Sequence, residues 1–243
     1  MITKEILMQN AKAKGLTNKE HIEKDYFQDK LLYSIYRQTN LLVFKGGTAL
    51  YKLYNLPRFS EDLDFSIINK LDAPAIIKNV AKSIPEITNI DNKETKNSIL
   101  FKIRFEGILT ISNTVRLDIS LKNVVLNNFD IKNYASQYMD INPFSIRIMT
   151  LKEIISEKIH AIYFRHNARD LYDLFFLLKL EQPNRDLIDK KLNIFGISYN
   201  HDILEKNIIL LKSLWKKELS AFILGELPEF EVVKDFVLQR TKI

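Results

Sequence analysis

The sequence predicts an α+β fold, a mixed sheet with flanking helices followed by a helical C-terminal half. Three observations carry that reading. Residues 41–65 run strand, Gly-Gly turn, short helix, loop and strand. Two more strand-like runs follow, at 99–105 and 109–121. From Thr150 onward the period-two patterns stop and only helical spacing remains.

Taken in order, residues 3–14 read as a short helix ended by Gly15, with Ile6 and Leu7 as its apolar contacts. Thr17 and Glu20 have capping-box spacing, and the helix they open reaches Arg37 through Ile22, Tyr26, Phe27, Leu31, Ile35 and Tyr36. Within it Glu23, Lys24 and Asp25 read as a solvated charged face. The apolar run 41–44 is a strand, and Ala49, Leu50, Leu53 and Tyr54 mark a short helix. Asp62 and Asp64 alternate with Leu63 and Phe65, which sends both carboxylates to one face of a second strand. Asp72 caps a helix over 75–83 that stops before Pro85, and the polar stretch 86–97 is a hairpin or loop. In the run 109–121, Arg116, Asp118 and Ser120 alternate with Leu117, Ile119 and Leu121, so a polar face again carries an acid. Residues 122–143 are Asn-rich, and a domain boundary there divides the chain into 1–143 and 144–243. Thr150 and Glu153 form a capping box for a helix with Ile154, Ile155, Ile159, Ile162 and Tyr163 on its apolar side. Further helical patterns cover 169–180, 185–192, 201–219 and 229–239.

Composition narrows the classes. A formal net charge of +6 favours anionic partners such as nucleotides, RNA or acidic proteins. With no cysteine, a disulfide framework and a thiolate metal site are both excluded. The first residues are too polar for a secretory signal, and no apolar run reaches the ~18 residues of a membrane span. A cytoplasmic protein with no membrane association is the expectation.

The stretch 41–65 carries the chemistry. A Gly-Gly turn between strand and helix, Gly46-Gly47, lets backbone N–H groups approach an anion at the positive end of the helix dipole. The Thr48 hydroxyl can donate too, and Lys45 either faces this site or points away by strand alternation. This reads either as a triphosphate cradle, without a Walker pattern, or simply as a tight turn. Asp62 and Asp64 repel one another unless a cation sits between them, and hard divalent ions take carboxylate oxygens. Asp118 adds a third acid, and three acids on neighbouring strands can hold two Mg²⁺ about 3.5–4 Å apart. Asp118 is then metal ligand or general base. His160 reads as a packed helix histidine and His166 as a helix-end residue, and no histidine cluster has metal-ligand spacing.

Gly-Gly-Thr on a strand-to-helix turn, Asp-x-Asp after it and a later strand Asp together resemble the DNA polymerase β-like nucleotidyltransferase superfamily. Finer text resembles its AbiEii/AbiGii toxin family. The residues are Lys45-Gly46-Gly47-Thr48-Ala49-Leu50, Arg58-Phe59-Ser60-Glu61-Asp62-Leu63-Asp64-Phe65, Glu23-Lys24-Asp25-Tyr26, Glu157-Lys158-Ile159-His160-Ala161 and Arg169-Asp170-Leu171-Tyr172-Asp173-Leu174. The likeness spans about residues 20–180 and leaves 185–243 unmatched. It implies a polymerase β-like nucleotidyltransferase core over 1–143 and a helical domain over 144–243 that completes the nucleotide and substrate cleft. It implies Mg²⁺, with Mn²⁺ as the alternative, and an NTP (ATP, GTP, CTP or UTP) as substrate. A toxin of a toxin–antitoxin or phage-defence pair is implied, with an antitoxin partner and RNA, above all the tRNA 3′ end, as acceptor. By motif, Asp62, Asp64 and Asp118 are the metal and catalytic acids, and Arg58 and Ser60 join Lys45, Gly46, Gly47 and Thr48 in nucleotide binding. Lys158 is a triphosphate-contacting catalytic lysine, and Asp170 a second functional acid.

The helical half can also be read by spacing. Lys158, Arg165 and Arg169 recur at i, i+7 and i+11 and share a face if one helix runs through them. That stripe is a phosphate-binding wall or a solvated surface, and Asp170 and Asp173 can instead pair with Arg165 or Arg169. Two other functional readings stand beside RNA transfer: a nucleotidyltransferase acting on a protein or small molecule, and a catalytically silent nucleotide-binding module.

Overall fold

The computed structural model describes residues 2–121 and 125–243, so the start of the Asn-rich stretch lies outside the described residues. The elements are α1 (Lys4–Ala13), α2 (Lys19–Gln38), β1 (Leu42–Lys45), α3 (Gly46–Tyr54), β2 (Leu63–Ile67), α4 (Ala73–Lys82), β3 (Ile87–Glu94), β4 (Ser98–Glu106), β5 (Ser112–Ser120), β6 (Phe129–Tyr134) and β7 (Phe144–Met149). Helices follow: α5 (Leu151–Phe164), α6 (Ala168–Leu180), α7 (Arg185–Asn193), α8 (His201–Leu210), a 3-10 turn (Leu211–Leu214), α9 (Trp215–Leu219) and α10 (Phe230–Arg240). The chain divides into two compact units. One holds α1–α4 and the sheet as far as Ile148, and the other holds the helices from α5 on together with the short segments Leu56–Arg58 and Leu126–Asn128.

In the first unit the strands lie in the order β3-β4-β5-β2-β1-β7-β6. The sheet is mixed: β1 runs antiparallel to β2, while β2 is parallel to β5 and β1 parallel to β7. Alternation puts Phe44, Leu63, Phe65, Leu117 and Ile119 on the face that packs with Phe27, Leu31, Ile35, Ile77 and Val80 of α2 and α4. The opposite face keeps Lys45, Asp64 and Asp118.

Two helix caps give way to better partners, and of the two readings of 86–97 the hairpin is the one formed. The cap of α2 is Asn18, not Thr17: its side-chain oxygen accepts from the Glu20 and His21 amides at 2.8 and 3.2 Å. Asparagine outranks threonine at this position. Thr150 begins α5 with no side-chain cap, because Glu153 turns away to accept from the Leu126 and Asn127 amides at 2.8 Å and to pair with Lys191 at 2.7 Å. The polar stretch 86–97 supplies β3, an edge strand whose antiparallel ladder with β4 runs from Ile87↔Phe105 to Glu94↔Ile99. Its pairing is carried by backbone, so its side chains stay polar.

The charged segment of α2 is also not a solvated face. Asp25 and Asp29 are fully buried and Glu23 nearly so. Asp25 accepts from Lys14 and Lys52 at 2.5 Å and from the Tyr138 hydroxyl at 2.6 Å. Asp29 pairs with Lys52 at 2.7 Å and accepts from Tyr134 and Ser136. Glu23 gathers the Leu109 and Thr110 amides, the Thr110 hydroxyl and Asn113. Ile22, Asp25, Asp29 and Leu32 follow the 3-4-3 spacing of one helix stripe, so two acids sit where the pattern calls for apolar residues. Burial works to raise the Asp25 carboxyl, but Lys52 and Lys14 outweigh it and hold the group well below the ordinary aspartate range.

Candidate functional site

Strand register brings the sheet acids together. Lys45 on β1 is the Cα partner of Asp64 on β2, and Asp64 is the partner of Asp118 on the parallel strand β5. Neighbouring strands lie about 4.8 Å apart, so the ammonium and two carboxylates stand in one row on one face. Asp62 precedes Asp64 by one pleat and lies just before β2. All three acids are half-buried. Burial raises the Asp118 carboxyl, while the Lys45 ammonium and the Ser98 hydroxyl pull it down, and burial wins.

The turn at this row is tighter than the sequence implies. Helix α3 begins at Gly46 itself, with Lys45 as a cap residue whose side chain makes no cap bond. The first amides of α3 therefore lack intrahelical acceptors and lie at its positive end. Gly46 has φ +77°, and a β-carbon there would overlap the Asp64 carboxylate. Thr48 is buried, and its hydroxyl donates to the Asp62 carbonyl, so in this structure it ties the turn to the start of β2 rather than presenting a free donor. Gln28 of α2 donates to the Ser60 and Glu61 carbonyls at 2.8 and 2.9 Å, which fixes the segment carrying Ser60 and Asp62. Ser60 is itself buried.

The donor set suits a hard divalent cation. It is all carboxylate, two of its members are strand neighbours in register, and a missing β-carbon makes room for one of them. The acids do not converge as a closed cage. Among the described residues, the group whose ligand atoms all lie within 4.8 Å of one another is His201, Asp202 and Glu205 on α8, a histidine-containing cluster that the sequence reading passed over.

In the second unit, the remaining predicted residues form a buried ion network. Lys158 on α5 pairs with Asp170 at 2.9 Å and Asp173 at 2.7 Å, both on α6. Arg58 meets Asp173 through Nε and Nη2, each at 2.7 Å. Arg165 meets Asp170 through Nε at 2.7 Å and Nη2 at 2.8 Å. Burial works to raise both aspartates, yet the cations hold Asp170 and Asp173 below the ordinary range. Lys158 is raised, because the two carboxylates overcome its burial. The single-helix stripe is not formed: α5 ends at Phe164, Arg165 is its C-cap and a new helix starts at Ala168. Arg169 instead lies over the Phe222 ring. His160 packs between Phe164 and Phe195, and His166 is exposed just past the helix end.

Sequence reasoning missed the Arg58–Asp173 pair, which joins residues 115 positions apart. A signal was present in Asp170 and Asp173, both on the apolar stripe of α6 with Leu174 and Leu177.

A protein-family profile described as "Nucleotidyl transferase AbiEii toxin, Type IV TA system" matches residues 30–236. Among solved structures, MenT4, a nucleotidyltransferase toxin from Mycobacterium tuberculosis H37Rv, aligns with a TM-score of 0.68 at 18% identity, covering 100% of this chain and 89% of that one. JHP933 from Helicobacter pylori aligns with a TM-score of 0.61 at 25% identity, covering 91% of each chain. No curated protein sequence matches.

Proposed function

The chain belongs to the AbiEii nucleotidyltransferase toxin family, and from that premise we propose that it transfers NMP from an NTP to an RNA hydroxyl, the 3′ end of tRNA, with Mg²⁺. The observation that carries the reading is the Lys45–Asp64–Asp118 row beside the open N-terminus of α3. Asp62, Asp64 and Asp118 would hold the divalent ions, which would supply Lewis-acid stabilisation of the charge that develops in phosphoryl transfer. The amides of Gly46 and Gly47 receive triphosphate oxygens, and Lys45 offsets the charge of the acids and of the nucleotide. Thr48 and Gln28 keep the turn and the Asp62 segment in register with β2. In the second unit, Lys158 is read as a phosphate-contacting lysine, with Asp170 and Asp173 holding its ammonium and Arg165 and Arg58 holding those carboxylates in turn. The family brings with it an antitoxin partner. Among the described residues no helix is long and apolar enough to cross a membrane.

The test is incubation with deacylated total tRNA and each radiolabelled NTP, with Mg²⁺ and then with EDTA. Label should reach the RNA 3′ end, stop with EDTA and be absent for Asp64→Asn. Label that survives nuclease and is lost to protease would overturn the RNA acceptor in favour of a protein.

A further inference from the structure

The face of the sheet that bears Asp64 and Asp118 does not end at the acids. Going outward through β5, β4 and β3, the same face carries Arg116 and Thr114, then Lys102 and Arg104, then Lys93 and Asp91. Arg116, Lys102, Arg104 and Lys93 are all exposed. Lys102 and Arg116 are direct Cα partners on antiparallel strands. Like charges opposite one another cost stability, and among the described residues neither side chain forms an ion pair. Arg104 meets Asp91 at 3.1 Å, with both side chains about half exposed, and Glu106 lies at the end of the same row. The next pleat on β5 after Arg116 is Asp118. Asp91 is the Cα partner of Lys102 on its other side but is engaged by Arg104, so Lys102 and Arg116 remain a like-charge pair, and a predominantly cationic surface is continuous with the acid row within one sheet.

We infer that this exposed β3–β5 face docks the phosphate backbone of the acceptor RNA, with Lys102 and Arg116 as its central contacts. The inference rests on the RNA reading above. An anionic strand laid across the pair relieves their repulsion and leads its terminus towards Asp118. The occupant is a polyanion rather than an apolar partner, because the exposed side chains at Lys102, Arg104 and Arg116 are cationic and their apolar neighbour on this face, Leu100 opposite Asp118, is half-buried. Contacts of this kind are sequence-independent and salt-dependent.

The experiment compares wild type, the double variant Lys102→Gln/Arg116→Gln, and a control Lys4→Gln/Lys12→Gln that removes the same charge from exposed positions on α1. Affinity for deacylated tRNA is measured across a salt series, with binding of a fluorescent NTP analogue, RNA labelling and melting temperature recorded alongside. The patch variant should bind tRNA at least about tenfold more weakly, with a log K against log salt slope shallower by about 2. Its NTP affinity should be unchanged and its melting temperature equal or higher, since the like-charge pair is gone. If wild type labels RNA and the patch variant binds tRNA no differently from the control, the docking surface is overturned and the RNA reading stands. If wild type neither binds nor labels RNA and labels protein instead, both fall.

Discussion

Gly46 and Asp64 occupy one another's space: a β-carbon on Gly46, at φ +77°, would overlap the Asp64 carboxylate. The glycine is thus needed twice, for the left-handed backbone at the mouth of α3 and for the close approach of a site acid. Gly46→Ala should cost about 1–3 kcal/mol of stability from the backbone alone. It should also lower transfer by about a hundredfold, because Asp64 must shift by about an ångström. Urea unfolding and a single-turnover labelling assay check the two effects separately.

Asp64→Asn and Asp118→Asn should each abolish detectable transfer with little change in melting temperature. The two carboxylates are half-buried register partners on parallel strands, and an isosteric amide keeps the packing of the row. A clear fall in melting temperature would mean that the row is structural rather than catalytic.

The α5–α6 network makes a pH prediction. Asp170 and Asp173 have carboxyls held below the unfolded aspartate value of about 3.9. Depressed carboxyls contribute stability that is fully present above the unfolded value and lost as pH falls through the folded one. The urea midpoint should therefore owe no slope to these groups between about pH 5 and 7, and should fall steadily below about pH 4. Asp170→Asn should flatten that acid limb and destabilise the protein at pH 7 by about 3–5 kcal/mol, since Lys158 and Arg165 lose a buried partner.

Lys52→Met tests the buried cluster of the first unit. The Lys52 ammonium touches both Asp25 and Asp29, each fully buried. Its removal leaves Asp29 with hydroxyl donors alone and Asp25 with Lys14 as its remaining cation, and should cost about 3–5 kcal/mol in urea denaturation. Wild-type stability in this variant would show the cluster to be dispensable.

Much of the fold was legible because its signals are local. Alternation at Leu63 and Phe65, the Gly46-Gly47 turn and the helical spacing after Thr150 each act within a few residues. The acids Asp62, Asp64 and Asp118 were legible for the same reason: period-two geometry assigns their face before any partner strand is known. Less legible were β6 and β7, short strands recognisable by their place in the sheet, β7 beside β1 and β6 beyond it at the edge. Helix caps slipped by a residue because Thr17 and Asn18 are both good caps and local spacing does not rank them.

The charges divide differently. The sequence by itself determined the family, the strand-turn-helix-strand order of residues 41–65 and the face on which each sheet acid sits, since these depend on neighbours along the chain. Only the tertiary structure decided which charges are buried and paired: Asp25 and Asp29 around Lys52, and Arg58 with Asp173, Lys158, Asp170 and Arg165. It also decided that Lys102 faces Arg116 and that Asp64 faces Asp118. The physical reason is that a charge's environment is set by what folding brings within a few ångströms, and those partners are drawn from anywhere in the sequence.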